Sequence, residues 1–260
     1  MKLAFCTNTF PLDEIPQACR RLKEIGYDGV ELWHQYLVSR PLSQVQDEIL
    51  GIGLEAAQLC PYFNVTGSRE ELENSYRLAE QYIGMAKALR CKNIRVFTGS
   101  IGAHEASAEQ FEQGVRGLQT ICDLGPDQML VLETHPGSLM ESADATLRLL
   151  KCVDRKNLRV NLQVPLRYEE ENPYDCAEKL GSYTVHIHAH NWVGPASENH
   201  LTCLSDGWYD FEKFLTILYR HGFNGFVSIE HGDHYGRDDP FFVAEREHDF
   251  FVKIKRSIER

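Results

Sequence analysis

Positive charge is scarce in this 260-residue chain. Lys and Arg number 27 against 38 Asp and Glu, a net charge of −11 at pH 7 with His neutral, and no basic run breaks the acidic balance. Such a surface repels a phosphate backbone, so nucleic acid is excluded as an expected partner and a small neutral or metal-chelated molecule fits better. No apolar run approaches the roughly 18 to 20 residues that span a bilayer. The start, Met1-Lys-Leu-Ala-Phe-Cys6, enters a strand without the apolar segment of a secretory signal. A cytoplasmic protein with no membrane attachment is therefore expected. The eight cysteines, at 6, 19, 60, 91, 122, 152, 176 and 203, include no Cys-x-x-Cys pair. They read as reduced core filling, with neither a disulfide framework nor a zinc knuckle. Proline-rich or low-complexity linkers are missing, and so is a glycine-rich dinucleotide loop after the first strand.

What is present is alternation from end to end. Short β-type runs at 3–6, 29–33, 55–60, 93–98, 129–133, 158–163, 184–188 and 226–230 each give way to a stretch with apolar residues every three or four positions. The clearest helix is predicted over Arg69–Leu89, with Leu72, Tyr76, Ala79, Ile83 and Ala86 on one face, Ser68 as N-cap and Glu71 three residues on. Another runs from a cap at Asp210 through Phe211, Phe214, Leu215 and Leu218 to a stop at Gly222. Glu24-Ile-Gly-Tyr-Asp-Gly-Val-Glu-Leu32 and His221-Gly-Phe-Asn-Gly-Phe-Val-Ser-Ile-Glu230 repeat one grammar of helix end, glycine turn and strand. Eight βα units with short connections favour a closed parallel barrel over an open sheet, whose edges would need covering. The expected fold is a single-domain α/β protein, a (β/α)8 barrel over residues 1–260, with a homo-oligomer left open.

Four runs in the second half end on a residue that can bind a divalent cation. They are Val131-Leu-Glu133, Val160-Asn-Leu-Gln163, Val185-His-Ile-His188 and Val227-Ser-Ile-Glu230. Active sites of parallel barrels lie at the carboxyl ends of the strands, so these four side chains are expected to converge at one mouth. A lone glutamate at a strand end is more often a solvated or salt-bridged residue; two of them in register with a histidine point to a metal. Oxygen-rich ligation with one imidazole suits Mn2+ first, with Mg2+ or Co2+ as alternatives. Gln163 reads equally well as a ligand or as an amide supporting one. Alternation puts His186, His188 and His190 on one strand face and gives His135 the inward direction of Glu133. His135 and His190 are candidate substrate contacts, as are Trp33, Arg167 and His231. His34, Phe63, Trp192 and Trp208 are expected to surround the mouth.

Five motifs occur in order: Tyr27-Asp-Gly-Val-Glu-Leu32, Leu132-Glu-Thr-His135, His186-Ile-His-Ala-His-Asn191, Ser205-Asp-Gly-Trp-Tyr-Asp-Phe211 and Gly222-Phe-Asn-Gly-Phe-Val-Ser-Ile-Glu230. Together they resemble the xylose isomerase-like TIM-barrel superfamily over nearly the whole chain. Its relatives include sugar isomerases and epimerases, hydroxypyruvate isomerases, inosose dehydratases and dehydroshikimate dehydratases. The resemblance implies a metal held by a glutamate, an aspartate, a histidine and a glutamate at the ends of strands five to eight. Glu133, His188 and Glu230 match. Gln163 stands where the family usually has aspartate, which lowers the charge of the site. The sixth-strand histidine of the ketose epimerases is missing, since Val164-Pro-Leu-Arg167 follows, and Trp192-Val-Gly-Pro195 lacks their arginine. Both departures argue against a tagatose-type epimerase.

The function expected is a metal-dependent isomerase or epimerase of a small ketose or hydroxycarbonyl compound in carbohydrate metabolism. Glu133 and Glu230 would act as paired acid and base around a metal-stabilised cis-enediolate. The alternative is a lyase or dehydratase on a keto-sugar or cyclic polyol. A non-catalytic sugar-binding barrel comes behind these. So does an AP endonuclease, which needs more histidine and carboxylate ligands and a basic face.

Overall fold

Helix ends and strand starts are set by the same local device at both ends of the chain. The first helix, α1 (Ile15–Ile25), stops at Gly26, whose φ of +118° a side chain would strain. Tyr27 N then donates to Leu22 O at 3.0 Å, closing the turn. The last barrel strand is entered identically, with Gly222 at φ +88° and Phe223 N donating to Leu218 O at 3.0 Å. Each aromatic is buried beneath its turn. The next residue anchors the chain start: Asp28 accepts from Leu3 N at 2.9 Å, and Asn224 from the Met1 amino group at 2.7 Å.

The computed structural model describes residues 1–163, 171–194, 200–230 and 239–260. In chain order the strands are β1 (Lys2–Cys6), β2 (Gly29–Trp33), β3 (Glu55–Cys60), β4 (Asn93–Val96), β5 (Met129–Glu133), β6 (Leu158–Gln163), β7 (Thr184–Ala189), β8 (Asn191–Val193), β9 (His200–Thr202) and β10 (Phe226–Ile229). Eight of them close a barrel in the order β1-β10-β7-β6-β5-β4-β3-β2, with every pairing parallel. The remaining pair, β8 and β9, forms a small antiparallel hairpin beyond β7. After α1 the helices are α2 (His34–Val38), α3 (Leu42–Ile49), α4 (Arg69–Ala88), α5 (Ala108–Leu124), α6 (Ala143–Val153), α7 (Pro173–Leu180), α8 (Phe211–Arg220) and α9 (Pro240–Ile258). The expected (β/α)8 barrel is thus the observed fold. The hairpin is a feature the sequence pattern did not announce, because three-residue strands carry no periodicity.

Both predicted helix starts hold. Ser68 accepts from Glu71 N while Glu71 accepts from Ser68 N at 2.7 Å, satisfying two amides that the first turn of α4 leaves free. Asp210 accepts from Lys213 N at 3.0 Å at the start of α8.

The apolar core lies between strands and helices, not inside the barrel. Phe5, Leu32, Leu59, Ile94, Leu132 and Leu162 belong to one buried cluster with the helix residues. The alternate, inward positions carry Cys6, Glu31, Gln58, Arg95, Glu133, Asn161, His186 and His188, all buried. A polar interior is costly unless its groups are paired or bind something, so it marks where the chemistry lies. Two register shifts help to aim it. Opposite Val30 and Glu31, β3 holds one extra residue, so Ala56 packs outward while Gln58 pairs beside Glu31. A matching shift between β6 and β7 sets Asn161 beside His186. All eight cysteines are free; seven are buried as expected, but Cys152 is exposed on α6.

Candidate functional site

Four strand ends deliver one cluster. Glu133 ends β5, Gln163 ends β6, His188 lies near the end of β7, and Glu230 directly follows β10, its N–H donating to Ala189 O at 3.2 Å. Thr134 fixes Gln163, whose N–H donates to the Thr134 hydroxyl at 2.8 Å while that hydroxyl donates to Gln163 O at 3.0 Å. Around the Nδ1 atom of His188 stand Glu133 Oε1 and Glu230 Oε2, each at 3.5 Å, and Gln163 Oε1 at 3.4 Å. Ligands bonded to one cation at about 2.1 Å lie roughly 3.0–3.4 Å apart, so these separations fit a bound ion. The donor set fits as well, with three oxygens and one imidazole suiting a hard divalent cation. Charge agrees: among the described residues three interior carboxylates, Glu31, Glu133 and Glu230, share the site with one guanidinium, Arg95.

The far edge of the same imidazole is held by Glu31. His188 Nε2 donates to its two oxygens at 2.8 and 2.9 Å, His186 Nε2 at 2.9 Å, and the Cys60 thiol at 2.8 Å. Burial pushes the Glu31 carboxyl up, but the two imidazoles outweigh it and hold it well below the usual carboxylate range. Burial lowers the His186 imidazole, which is neutral, and its Nδ1 has no partner among the described residues. Burial also lowers His188, yet Glu31, Glu230 and Glu133 together raise it well above its ordinary value. For Glu230, burial raises the carboxyl, while the His188 charge and a hydrogen bond from His190 pull it down to about 2. Burial and the Glu31 charge push the Cys6 and Cys60 thiols up, so both keep their protons.

The remaining predicted residues divide. His190 is buried, with Nδ1 3.4 Å from Glu230 Oε2 and its ring edge-on to Trp192 at 4.5 Å, so it braces Glu230. Trp33 joins Glu31, Arg95 and Glu230 around a small space of about 10 Å3. His135 lines a wider open cleft of about 610 Å3 with Tyr62, Phe63 and Phe97. Its ring meets Phe97 edge-on at 5.4 Å. His34 stands apart, stacked on Tyr82 and bonded to its hydroxyl at 2.7 Å. Trp192 meets His190, whereas Trp208 is exposed and packs on Tyr209. Arg167 and His231 lie outside the described residues.

Two site residues escaped the sequence reading. Glu31 belongs to the Tyr27–Leu32 motif on β2, and Arg95 sits in β4. Nη1 of Arg95 donates to Glu133 Oε2 at 3.0 Å, and its guanidinium lies 4.6 and 4.9 Å from the Tyr62 and Phe97 rings. The available signal was a charged residue in mid-strand, flanked by apolar neighbours on a strand buried on both faces.

The closed parallel barrel thus carries, at the carboxyl ends of its strands, an oxygen-rich, histidine-centred cluster that is a candidate site for a divalent cation. The chain is a member of the xylose isomerase-like TIM barrel family, which residues 19–254 match. It is 27% identical over 206 residues to a 3-dehydroshikimate dehydratase of Bacillus anthracis, covering 74% of this chain and 72% of the relative. Among solved structures, a D-tagatose 3-epimerase-like protein superposes with a TM-score of 0.82 at 19% identity, covering 100% of this chain and 98% of the other. A xylose isomerase-like TIM barrel protein from Mycobacterium smegmatis in complex with magnesium gives 0.77 at 15%, covering 99% and 97%. At such identities the two structures establish the shared fold. No helix among the described residues is long and apolar enough to cross a membrane.

Proposed function

We propose that residues 1–260 form one catalytic domain, a divalent-metal-dependent isomerase or epimerase of a small ketose or related hydroxycarbonyl compound. The observation that carries the reading is the placement of two carboxylates, Glu133 and Glu230, each 3.5 Å from the same nitrogen of His188. Their strands stand three positions apart around the barrel, so they approach one point from different directions. Glu133, Gln163, His188 and Glu230 would hold the ion, with Mn2+ the first candidate and Mg2+ or Co2+ next. Bound there, a divalent cation supplies polarisation of a carbonyl and offsets the negative charge left by a departing proton.

The chain's own groups do the rest. One glutamate takes a proton from the carbon beside the carbonyl, and either glutamate returns it, to the same carbon from the other face or to the neighbouring carbon. Arg95 keeps one oxygen of Glu133 engaged and leaves the other facing the cluster. His190 braces Glu230 at the same oxygen, Oε2, that faces His188. Tyr62, Phe97 and His135 offer ring faces to the carbon skeleton of a substrate and exclude water.

A second reading, a dehydratase, is favoured by the 27% identical relative that bears that name. It shares the proton abstraction and then expels the hydroxyl on the next carbon as water. The test is a screen of ketoses, keto-acids and 3-keto-glycosides with Mn2+ in heavy water, read by mass. Isomerisation keeps the mass apart from deuterium uptake, whereas dehydration loses water. Glu133→Gln and Glu230→Gln are each expected to abolish deuterium uptake with the fold retained. Uptake persisting in both variants, or a protein that binds no divalent ion, overturns the reading.

A further inference from the structure

Glu31 takes no part in the proton transfer, yet it is among the most heavily bonded carboxylates in the barrel. It sits on β2, in register with Cys6 on β1 and Gln58 on β3, and is 3% exposed. Three donors converge on it: His188 Nε2, His186 Nε2 and the Cys60 thiol, all within 2.9 Å. When a cation takes the place of the Nδ1 proton, the one proton left on the ring is the Nε2 proton that Glu31 holds. Nδ1 is the atom that Glu133, Gln163 and Glu230 surround. His186 and Cys60 stop the carboxylate from turning away, which fixes the ring plane of His188 as well. Charge adds to orientation. Gln163 is neutral, so among the described residues two carboxylates stand around Nδ1. Glu31 puts a third negative charge on the other side of the same ring, which strengthens the imidazole as an electron donor.

We infer that Glu31 is a positioning residue for cation binding: it holds the ring proton of His188 on Nε2, so that Nδ1 is the nitrogen turned to the cation, and it supplies through the ring a negative charge that the neutral Gln163 does not. The inference rests on reading the Nδ1 cluster as a divalent-metal site. It is tested by Mn2+ affinity of chelator-stripped protein, measured by calorimetry for the wild type and Glu31→Gln. The variant is expected to bind about 10- to 100-fold more weakly. A second measurement needs no variant. In Mg2+-loaded, isotope-labelled wild-type protein, the His188 ring proton is expected on Nε2, shifted far downfield and protected from exchange by Glu31. Equal Mn2+ affinity in a folded Glu31→Gln protein, or the ring proton found on Nδ1, overturns the inference alone. A wild type that binds no Mn2+ overturns it together with the metal reading.

Discussion

Arg95 and Glu133 form an ion pair inside the barrel, 3.0 Å apart, with side chains 7% and 3% exposed. Breaking such a pair from one side is costly because it strands the other charge away from water. Arg95→Met is therefore expected to lose about 3–5 kcal/mol of stability with divalent ions removed. Adding Glu133→Gln in the same chain removes the stranded charge and should recover a large part of that loss. Urea unfolding of the three proteins in chelator checks both statements. A single variant as stable as the wild type would show that Glu133 finds another partner.

Gln163 places its amide oxygen 3.4 Å from His188 Nδ1, within the spacing of ligands that share an ion. An aspartate there adds a full negative charge to the cluster. Gln163→Asp is expected to tighten Mn2+ binding about tenfold or more, as judged by calorimetry. Unchanged affinity would put the amide outside the coordination sphere and leave it a hydrogen-bonding role.

Glu247 on α9 is 2% exposed and accepts from Leu204 N at 2.8 Å. Burial pushes its carboxyl up to about 7, although the Leu204 hydrogen bond pulls the other way. Unfolded, the group gives up its proton near 4.5, while in the folded protein it keeps it to about 7. Between those values the folded state binds more protons, so stability falls as pH rises and levels off above about 7. At about 1.4 kcal/mol for each pH unit of difference, the fall is at most about 3 to 4 kcal/mol. Glu247→Gln keeps the acceptor and loses the titration. Unfolding curves at pH 5 and pH 8 should show the variant gaining on the wild type at the higher pH, and equal gaps at both would refute the assignment.

Much of the fold was legible because barrel strands and helices announce themselves locally. Gly26 and Gly222 end helices wherever they are read, and Ser68 with Glu71 marks a helix start by chemistry confined to four residues. The boundaries of β2, β3, β5 and β6 follow the apolar runs and the residues that stop them. Of the candidate site, Glu133, Gln163, His188 and Glu230 were legible because strand ends in a closed parallel barrel share one mouth. Glu31 was not, although it lay inside a motif already in view. Its sequence neighbours describe a buried strand, and nothing local tells that a residue 157 positions away donates to it.

The chain by itself thus determined the βα alternation, the helix ends and four of the groups at the mouth, all of which depend on neighbours within a few residues or on a period along one element. Tertiary structure decided which charges meet. The register shifts in β3 and β7 set Gln58 beside Glu31 and His186 beside Asn161, and barrel closure brought Glu31 to His188 and Arg95 to Glu133. Electrostatic pairing depends on distance in space, and only closing the barrel sets that distance.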